Sequence, residues 1–185
     1  NMLGSSDFYT GAFPAEYGNA LSGVFDINLR NGNNQENEFT IQAGVLGIDL
    51  SAEGPFKKGY GGSFLFNYRY STLSLLNDFG IQVSENTIAD YQDLSFKINL
   101  PTQKIGTFSI WGIGGLSSDD EKYLPDSVEY FDDGYSDYTQ TGMYATGLNH
   151  TIFTDKKSYV QTVFSLSNSY SSEDYQEMDL EGQLY

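Results

Sequence analysis

Seven stretches of this chain alternate apolar and polar residues with a period of two, which restricts it to β-strands that each carry one apolar face. Phe39, Ile41, Ala43 and Val45 alternate with Thr40, Gln42 and Gly44. Ile48, Leu50 and Ala52 alternate with Asp49, Ser51 and Glu53 up to Gly54-Pro55, and a tight turn at Leu46-Gly47 separates these two strands. In the third strand Phe64, Phe66, Tyr68 and Tyr70 make one face aromatic. A long connection from Ser71 to Asp93, with Ser71 or Thr72 capping a short helix, leads to Leu94, Phe96, Ile98 and Leu100. The fifth strand, Thr107 to Ser117, is glycine-rich, with Phe108 and Ile110 expected on the outer face. The sixth runs from about Gly142 to Phe153, and the seventh sets Val160, Thr162, Phe164, Leu166 and Tyr170 against Ser165, Ser167 and Ser169. No run of about 18 apolar residues occurs, which excludes a membrane helix and leaves a membrane barrel open.

The connections alternate too. Short turns hold Lys57, Lys58, Lys104, Lys156 and Lys157, while the long connections and the tail hold 17 of the 25 acidic residues. The segment Ser118 to Thr141 is read as a long acidic loop, and the tail from Ser171 as the start of another. The two ends of the array therefore differ chemically, with the tight turn at Leu46-Gly47 as the exception to the length rule. Outer-membrane barrels combine short periplasmic turns, long extracellular loops and strands of about ten residues. Phe56, Phe64, Phe153 and Tyr159 beside the short turns, and Tyr68, Tyr70, Tyr144 and Tyr170 beside the long loops, form two candidate aromatic girdles.

Ahead of the strands, Gly11 to Gly32 is a turn-rich segment running into one strand. Gly11, Gly18 and Gly23 are expected to supply positive φ or close backbone approach, and Pro14 fixes its own φ. From Val24, the residues Val24, Asp26, Asn28 and Arg30 alternate with Phe25, Ile27 and Leu29 as far as the turn pair Asn31-Gly32. The glycine at Gly11, the run Ala15-Glu16-Tyr17-Gly18, then Gly23-Val24 and the strand to Arg30 resemble the C-terminal end of the plug domain in TonB-dependent outer-membrane receptors. The likeness is greatest to those with a carboxypeptidase-regulatory-like N-terminal extension.

That resemblance implies an all-β chain that is part of a plugged antiparallel transmembrane barrel of about 22 strands, about seven of them here. It divides the chain into the end of a plug (1–32), a linker (33–37) and the first barrel strands (38–185), as a piece of a longer protein. It implies the outer membrane of a Gram-negative bacterium, contact with its lipid, and uptake of a siderophore, glycan or peptide energised by the TonB complex. The alternatives are a receptor-like barrel that scaffolds a surface complex, with a surface lipoprotein as partner, and a soluble secreted β-domain.

The formal net charge of −16 argues against a nucleic-acid partner, and the absence of cysteine excludes disulfides and thiolate metal sites. No nucleophile–base set, phosphate loop or histidine metal motif is present, so neither an enzyme nor a cofactor is expected. His150, the single histidine, is expected as a strand residue in the wall. Tyr123, Tyr130, Tyr135 and Tyr138 are candidates for ligand or partner binding in the acidic loop. Asp132, Asp133 and Asp137 could offer oxygen ligands to Ca²⁺, but they lack the spacing of a dedicated loop, and a solvated acidic loop is the simpler reading. Asp26 and Arg30, on one face of the plug strand, are expected to bond to the wall or to face a transport path.

Overall fold

The computed structural model describes residues 2–18, 20–73, 76, 79–81, 87–121 and 135–177. Two short strands, β1 (Asp7–Tyr9) and β2 (Val24–Asp26), pair with each other and flank a 3-10 turn at Ala15–Tyr17. Seven further strands form one antiparallel sheet in strict chain order: β3 (Glu38–Gly44), β4 (Gly47–Pro55), β5 (Ser63–Tyr70), β6 (Thr87–Pro101), β7 (Thr107–Glu121), β8 (Tyr135–Phe153) and β9 (Tyr159–Glu177). The all-β reading and the count of seven both hold. Among the described residues no helix is long and apolar enough to cross a membrane, which has no bearing on strands.

Directly paired residues of an antiparallel ladder share a face, so the register sorts the side chains without ambiguity. One transverse row reads Phe39, Ala52, Phe66, Phe96, Gly112, Thr146, Leu166. The next row, on the opposite face, reads Glu38, Glu53, Leu65, Lys97, Trp111, Gly147, Ser165. The sheet thus has an apolar face, on which Phe108 and Ile110 also lie, and a polar face. Several of the glycines are places where an aromatic ring from the facing strand lies over bare backbone. A Cβ on Gly112 would come within 2.5 Å of the Phe96 ring, one on Gly142 within 2.3 Å of Tyr170, and one on Gly147 within 2.8 Å of Trp111.

The burial is inverted relative to a water-soluble sandwich. Phe39 (75% exposed), Ile41, Phe164 and Leu166 (61%) stand uncovered on the apolar face. The polar face is the one that carries the N-terminal segment, and Leu65, beneath it, is 2% exposed. Both lateral strands, β3 and β9, are exposed along their whole length, so each presents an unpaired edge.

Several boundaries differ from the sequence reading. The ladder continues well beyond the apolar band: β6 starts at Thr87 rather than Leu94, and β7 runs to Glu121. β8 begins at Tyr135 and β9 reaches Glu177, so parts of the expected loops 118–141 and 171–185 are strand. In this extension both faces meet water, so the alternation that marks a half-buried strand is missing although the main-chain pairing continues. The β3–β4 turn is Val45–Leu46, closed by the pair Gly44 and Gly47, with Gly47 already in β4. Tyr91 donates to the Leu46 carbonyl at 2.6 Å and Thr72 to the Val45 carbonyl at 3.0 Å, which ties that short hairpin to the β5–β6 connection. The two candidate caps divide the role: the Thr72 carbonyl accepts from Leu76 N–H at 2.9 Å, and Ser71 Oγ accepts from Leu73 N–H at 3.3 Å.

The N-terminal strand is also broken where continuity was expected. After β2 it returns to pairing only as a bridge between Leu29 and Leu3, flanked by Gly4 N–H to Asn28 O at 2.7 Å and Arg30 N–H to Met2 O at 3.0 Å. Between the pairs Asp7–Asp26 and Leu3–Leu29 the first strand uses one residue more than the second, a bulge at which Ser6 Oγ accepts from Asn28 N–H. The partner strand β1 is too short to show a period, and the sequence reading missed it. Gly18 is right-handed helical at φ −62°, and neither Gly11 nor Gly23 has positive φ; Ala12 instead takes the left-handed conformation at φ 52°.

Candidate functional site

The N-terminal segment is fastened to the polar face at one row. Arg30 grips Glu53 of β4 with both terminal nitrogens, Nη1 to Oε2 at 2.6 Å and Nη2 to Oε1 at 2.5 Å. The Asn33 backbone N–H donates to the same Oε2 at 2.7 Å. Two strands away, Lys97 Nζ donates to the Leu29 carbonyl at 2.5 Å. Between them Gly32 passes over β5 so closely that a Cβ would sit 2.0 Å from the Phe64 carbonyl oxygen. Here glycine is required by contact with the wall rather than by a turn. Asn33 then organises the linker, its Oδ1 accepting from Gln35 N–H at 2.8 Å and its Nδ2 donating to Glu38. Glu53 supports Arg30 in its charged form, raising its pKa. Of the two residues expected to bond to the wall or face a path, Arg30 bonds to the wall.

Asp26 does something else. Tyr17 sits beside it, its ring 5.8 Å from that of Tyr9. The Tyr17 hydroxyl is pushed up by partial withdrawal from solvent and then by the Asp26 carboxylate, to which it hydrogen-bonds. Of the motif residues, Ala15, Glu16 and Tyr17 form the 3-10 turn, closed by Tyr17 N–H to Pro14 O at 3.0 Å. Gly18 caps that turn, while Gly11 has open space around it and Gly23 lies against the Phe8 ring. These residues shape the segment.

Toward the acidic end, a cavity of about 490 Å³ lies between Leu3, Ile27 and Leu29 and the polar face. Its wall side carries Asp49, Asn67, Arg69, Asp93 and Ser95. Asn67 Nδ2 donates to Asp49 Oδ1 at 2.8 Å, and Arg69 pairs with Asp93 at 2.7 Å while its guanidinium lies 5.2 Å from the Tyr91 ring centre. This is a gap between an inserted segment and a polar wall with ion-paired groups on one side and aliphatic groups on the other. The sequence reading named none of Glu53, Asn33, Asp49 or Asp93 as functional. For Glu53 and Asp49 the one visible signal was charge at the polar positions of an otherwise apolar strand; Asn33, uncharged and in the linker, carried none.

No protein-family model, curated protein or solved structure matches the chain. What the chain does must therefore be argued from its own residues.

The other predicted site residues lie at the extended end. Tyr135 and Tyr138 are in β8, not in a loop. Tyr135 stacks on Tyr175 of β9 at 5.5 Å and donates to Glu121 of β7 at 3.4 Å, so it braces three strands. Tyr138 is exposed and accepts from Gln140 Nε2 at 2.7 Å. Asp137, the third Ca²⁺ candidate, accepts from Thr139 and faces Glu121 across the ladder. Among the described residues no group of three acidic or histidine side chains is arranged to hold a metal. Tyr123, Tyr130, Asp132 and Asp133 lie outside the described residues.

At the opposite end, the residues expected as a girdle do not share one face. Phe153 and Tyr159 pair with each other at 5.9 Å between centroids but fall on the polar-face register. On the apolar face at this end Phe108 and His150 stack at 4.3 Å, with His150 Nε2 2.6 Å from the Ile105 carbonyl oxygen. His150 is a strand residue of the sheet, as expected.

Proposed function

We propose that this chain is the end of a plug and the first seven wall strands of an outer-membrane, TonB-dependent receptor that takes up a nutrient ligand. The observation that carries the proposal is the inverted burial: an inserted segment occupies the polar face while the apolar face has no cover among the described residues. In water such a face would drive aggregation, whereas in hydrocarbon it is the required surface. Its dimensions agree. The apolar register spans Tyr144–Ile152 on β8 and Val160–Tyr170 on β9, close to the 9 to 11 residues of a tilted membrane strand. Lysine turns cluster at one end of the sheet and acidic strands at the other, as short periplasmic turns and an external face would require.

In this reading the clasp of Arg30, Gly32 and Lys97 holds the plug's last strand near the periplasmic end. The cavity beside Arg69 and Asp93 is part of the space between plug and wall, and the exposed edges of β3 and β9 are where a closed barrel continues. In this reading the work of the chain's residues is to hold, line and release. A scaffolding barrel that does not transport remains the second reading, favoured by the height of the β8–β9 extension. The test uses single cysteines in the complete protein on intact cells. Ser172→Cys, on the exposed extension, should react with an impermeant thiol reagent, and Gln103→Cys only after the outer membrane is permeabilised. Reversed labelling would refute the orientation, and equal labelling would refute the membrane reading.

A further inference from the structure

At the lysine end of the sheet a hollow of about 680 Å³ lies between two neighbouring turns, lined by Gly59 and Tyr60 of the β4–β5 turn and by Pro101 to Ile105 at the β6–β7 turn. Its apolar lining is continuous with the apolar face. Phe56, its ring 5.8 Å from that of Phe64, and Tyr60, whose ring occupies the place a side chain on Gly62 would take, both lie on that side. On the other wall the Ile105 carbonyl meets His150 of the Phe108–His150 stack. Lys57, Lys58 and Lys104 stand exposed around the hollow, and neither turn contains an acidic residue. Among the described residues none of the three ammonium groups makes an ion pair. Glu53 is engaged by Arg30 and Asn33, and Asp155, in the third short turn, by its own Lys157 and Ser158 N–H groups. The Gln103 and Lys104 backbone N–H groups also have no protein acceptor among the described residues. Unpaired cations, free donors and an adjoining apolar surface call for an anion attached to an apolar chain.

We infer that the hollow binds an anionic glycerophospholipid of the phosphatidylglycerol type, with its phosphodiester between Lys104 and the Lys57–Lys58 pair and its acyl chains along Phe56, Phe64 and Phe108. The two turns are two strand spacings, about 10 Å, apart, so a headgroup between them meets ammonium groups from both sides. The Tyr60 hydroxyl and the Gln103 amide add neutral donors. A zwitterionic headgroup would bring a further cation among three lysines, which disfavours it. A water-soluble anion would gain the lysines but leave Tyr60 and Ile105 uncovered, 42% and 57% exposed as they are. The site rests on the reading that the apolar face meets a bilayer with its lysine end in the periplasmic leaflet, the glycerophospholipid side of an outer membrane, and the experiment separates the two.

The complete protein is reconstituted in phosphatidylcholine vesicles with a trace of phosphatidylglycerol whose acyl chain carries a photoactivatable group next to the ester, and the labelled peptides are mapped. A parallel sample carries the same chain on phosphatidylcholine. Phosphatidylglycerol should label residues 56–60 and 101–108 in preference to phosphatidylcholine by about fivefold or more, the worth of one basic side chain at an anionic membrane surface. Lys57→Gln, Lys58→Gln and Lys104→Gln together should remove that preference without unfolding the protein, since none of the three has an ion partner to lose. Lys156→Gln with Lys157→Gln should keep it, and millimolar glycerol 3-phosphate should leave the labelling unchanged. Equal labelling by the two lipids, a preference that survives the triple replacement or is lost with Lys156 and Lys157, or displacement by glycerol 3-phosphate overturns the site and leaves the barrel intact. Absence of label from the whole apolar face overturns both.

Discussion

Placing arginine at Phe96 tests the assignment of faces most directly. Phe96 lies four residues from Leu100 and four from Gln92, whose transverse row, Tyr70, Gln92, Leu116, Gly142 and Tyr170, bounds the apolar face at the other end. At about 3.4 Å per residue and a tilt of about 45°, that is roughly 10 Å from either boundary, the middle of a band about 20 Å tall, against about 25 Å for outer-membrane barrels generally. Arginine at such a depth costs about 2 to 4 kcal/mol, a factor of about 30 to 1,000 in the folding equilibrium. Loss of the ring over Gly112 adds to this. Ser95→Arg is the matched control, one residue away on the other face, where it borders the cavity with Asp49, Asn67 and Asp93 and should cost about 1 kcal/mol, less than Phe96→Arg. Urea titration of the complete protein in lipid, compared at equal m, measures both. A neutral Phe96→Arg with a destabilised Ser95→Arg would mean that the sheet is read inside out.

Arg30→Ala should loosen the linker, because Glu53, with its side chain 13% exposed, would keep only the Asn33 N–H. With Arg30 itself 35% exposed, the expected cost is about 1 kcal/mol, read as faster hydrogen exchange over residues 29–37 with β6 to β9 unchanged. Uniform loss of protection across the sheet would refute a local clasp. At the β8–β9 turn, Lys157 N–H, first, and the Ser158 groups donate to Asp155 and hold its carboxyl below the ordinary carboxylate range. The turn's stabilisation should therefore be complete above the ordinary aspartate pKa and disappear as pH falls through the depressed value. Amide shifts of Lys157 and Ser158 should report that low midpoint, and Asp155→Asn should remove it. A midpoint at or above the ordinary value refutes the assignment.

What could be read from the sequence was the alternation that sets an apolar face against a polar one. Phe64, Phe66, Tyr68 and Tyr70 alternate because alternate positions share one face, and the register confirms those faces from β3 through β9. Where both faces meet water that signal stops, which is why Ser171 to Glu177 looked like a loop and proved to be strand. The clasp was hidden for a different reason. Arg30 and Glu53 are 23 residues apart, and nothing local to either marks the other. Gly32 was visible as a glycine, but the cause, a wall carbonyl from Phe64, belongs to tertiary structure. Ala12 at φ 52° runs against the local rule that would have put glycine there.

The extension on the acidic side carries a further consequence. β8 and β9 have 19 residues each, of which about 9 to 11 suffice to cross a bilayer, so under the proposed membrane reading eight or more would project beyond it. Glu121 faces Asp137 directly across that projection, an arrangement that disfavours pairing. The ladder persists because its register is already set by the longer paired region in the wall, and because Tyr135 ties β7, β8 and β9 together through Glu121 and Tyr175. Like charges held on a rigid two-sided ribbon repel across distances that salt screens within about 10 Å. The projection should therefore stiffen as ionic strength rises, and it is a surface on which a cationic partner would gain by relieving that repulsion.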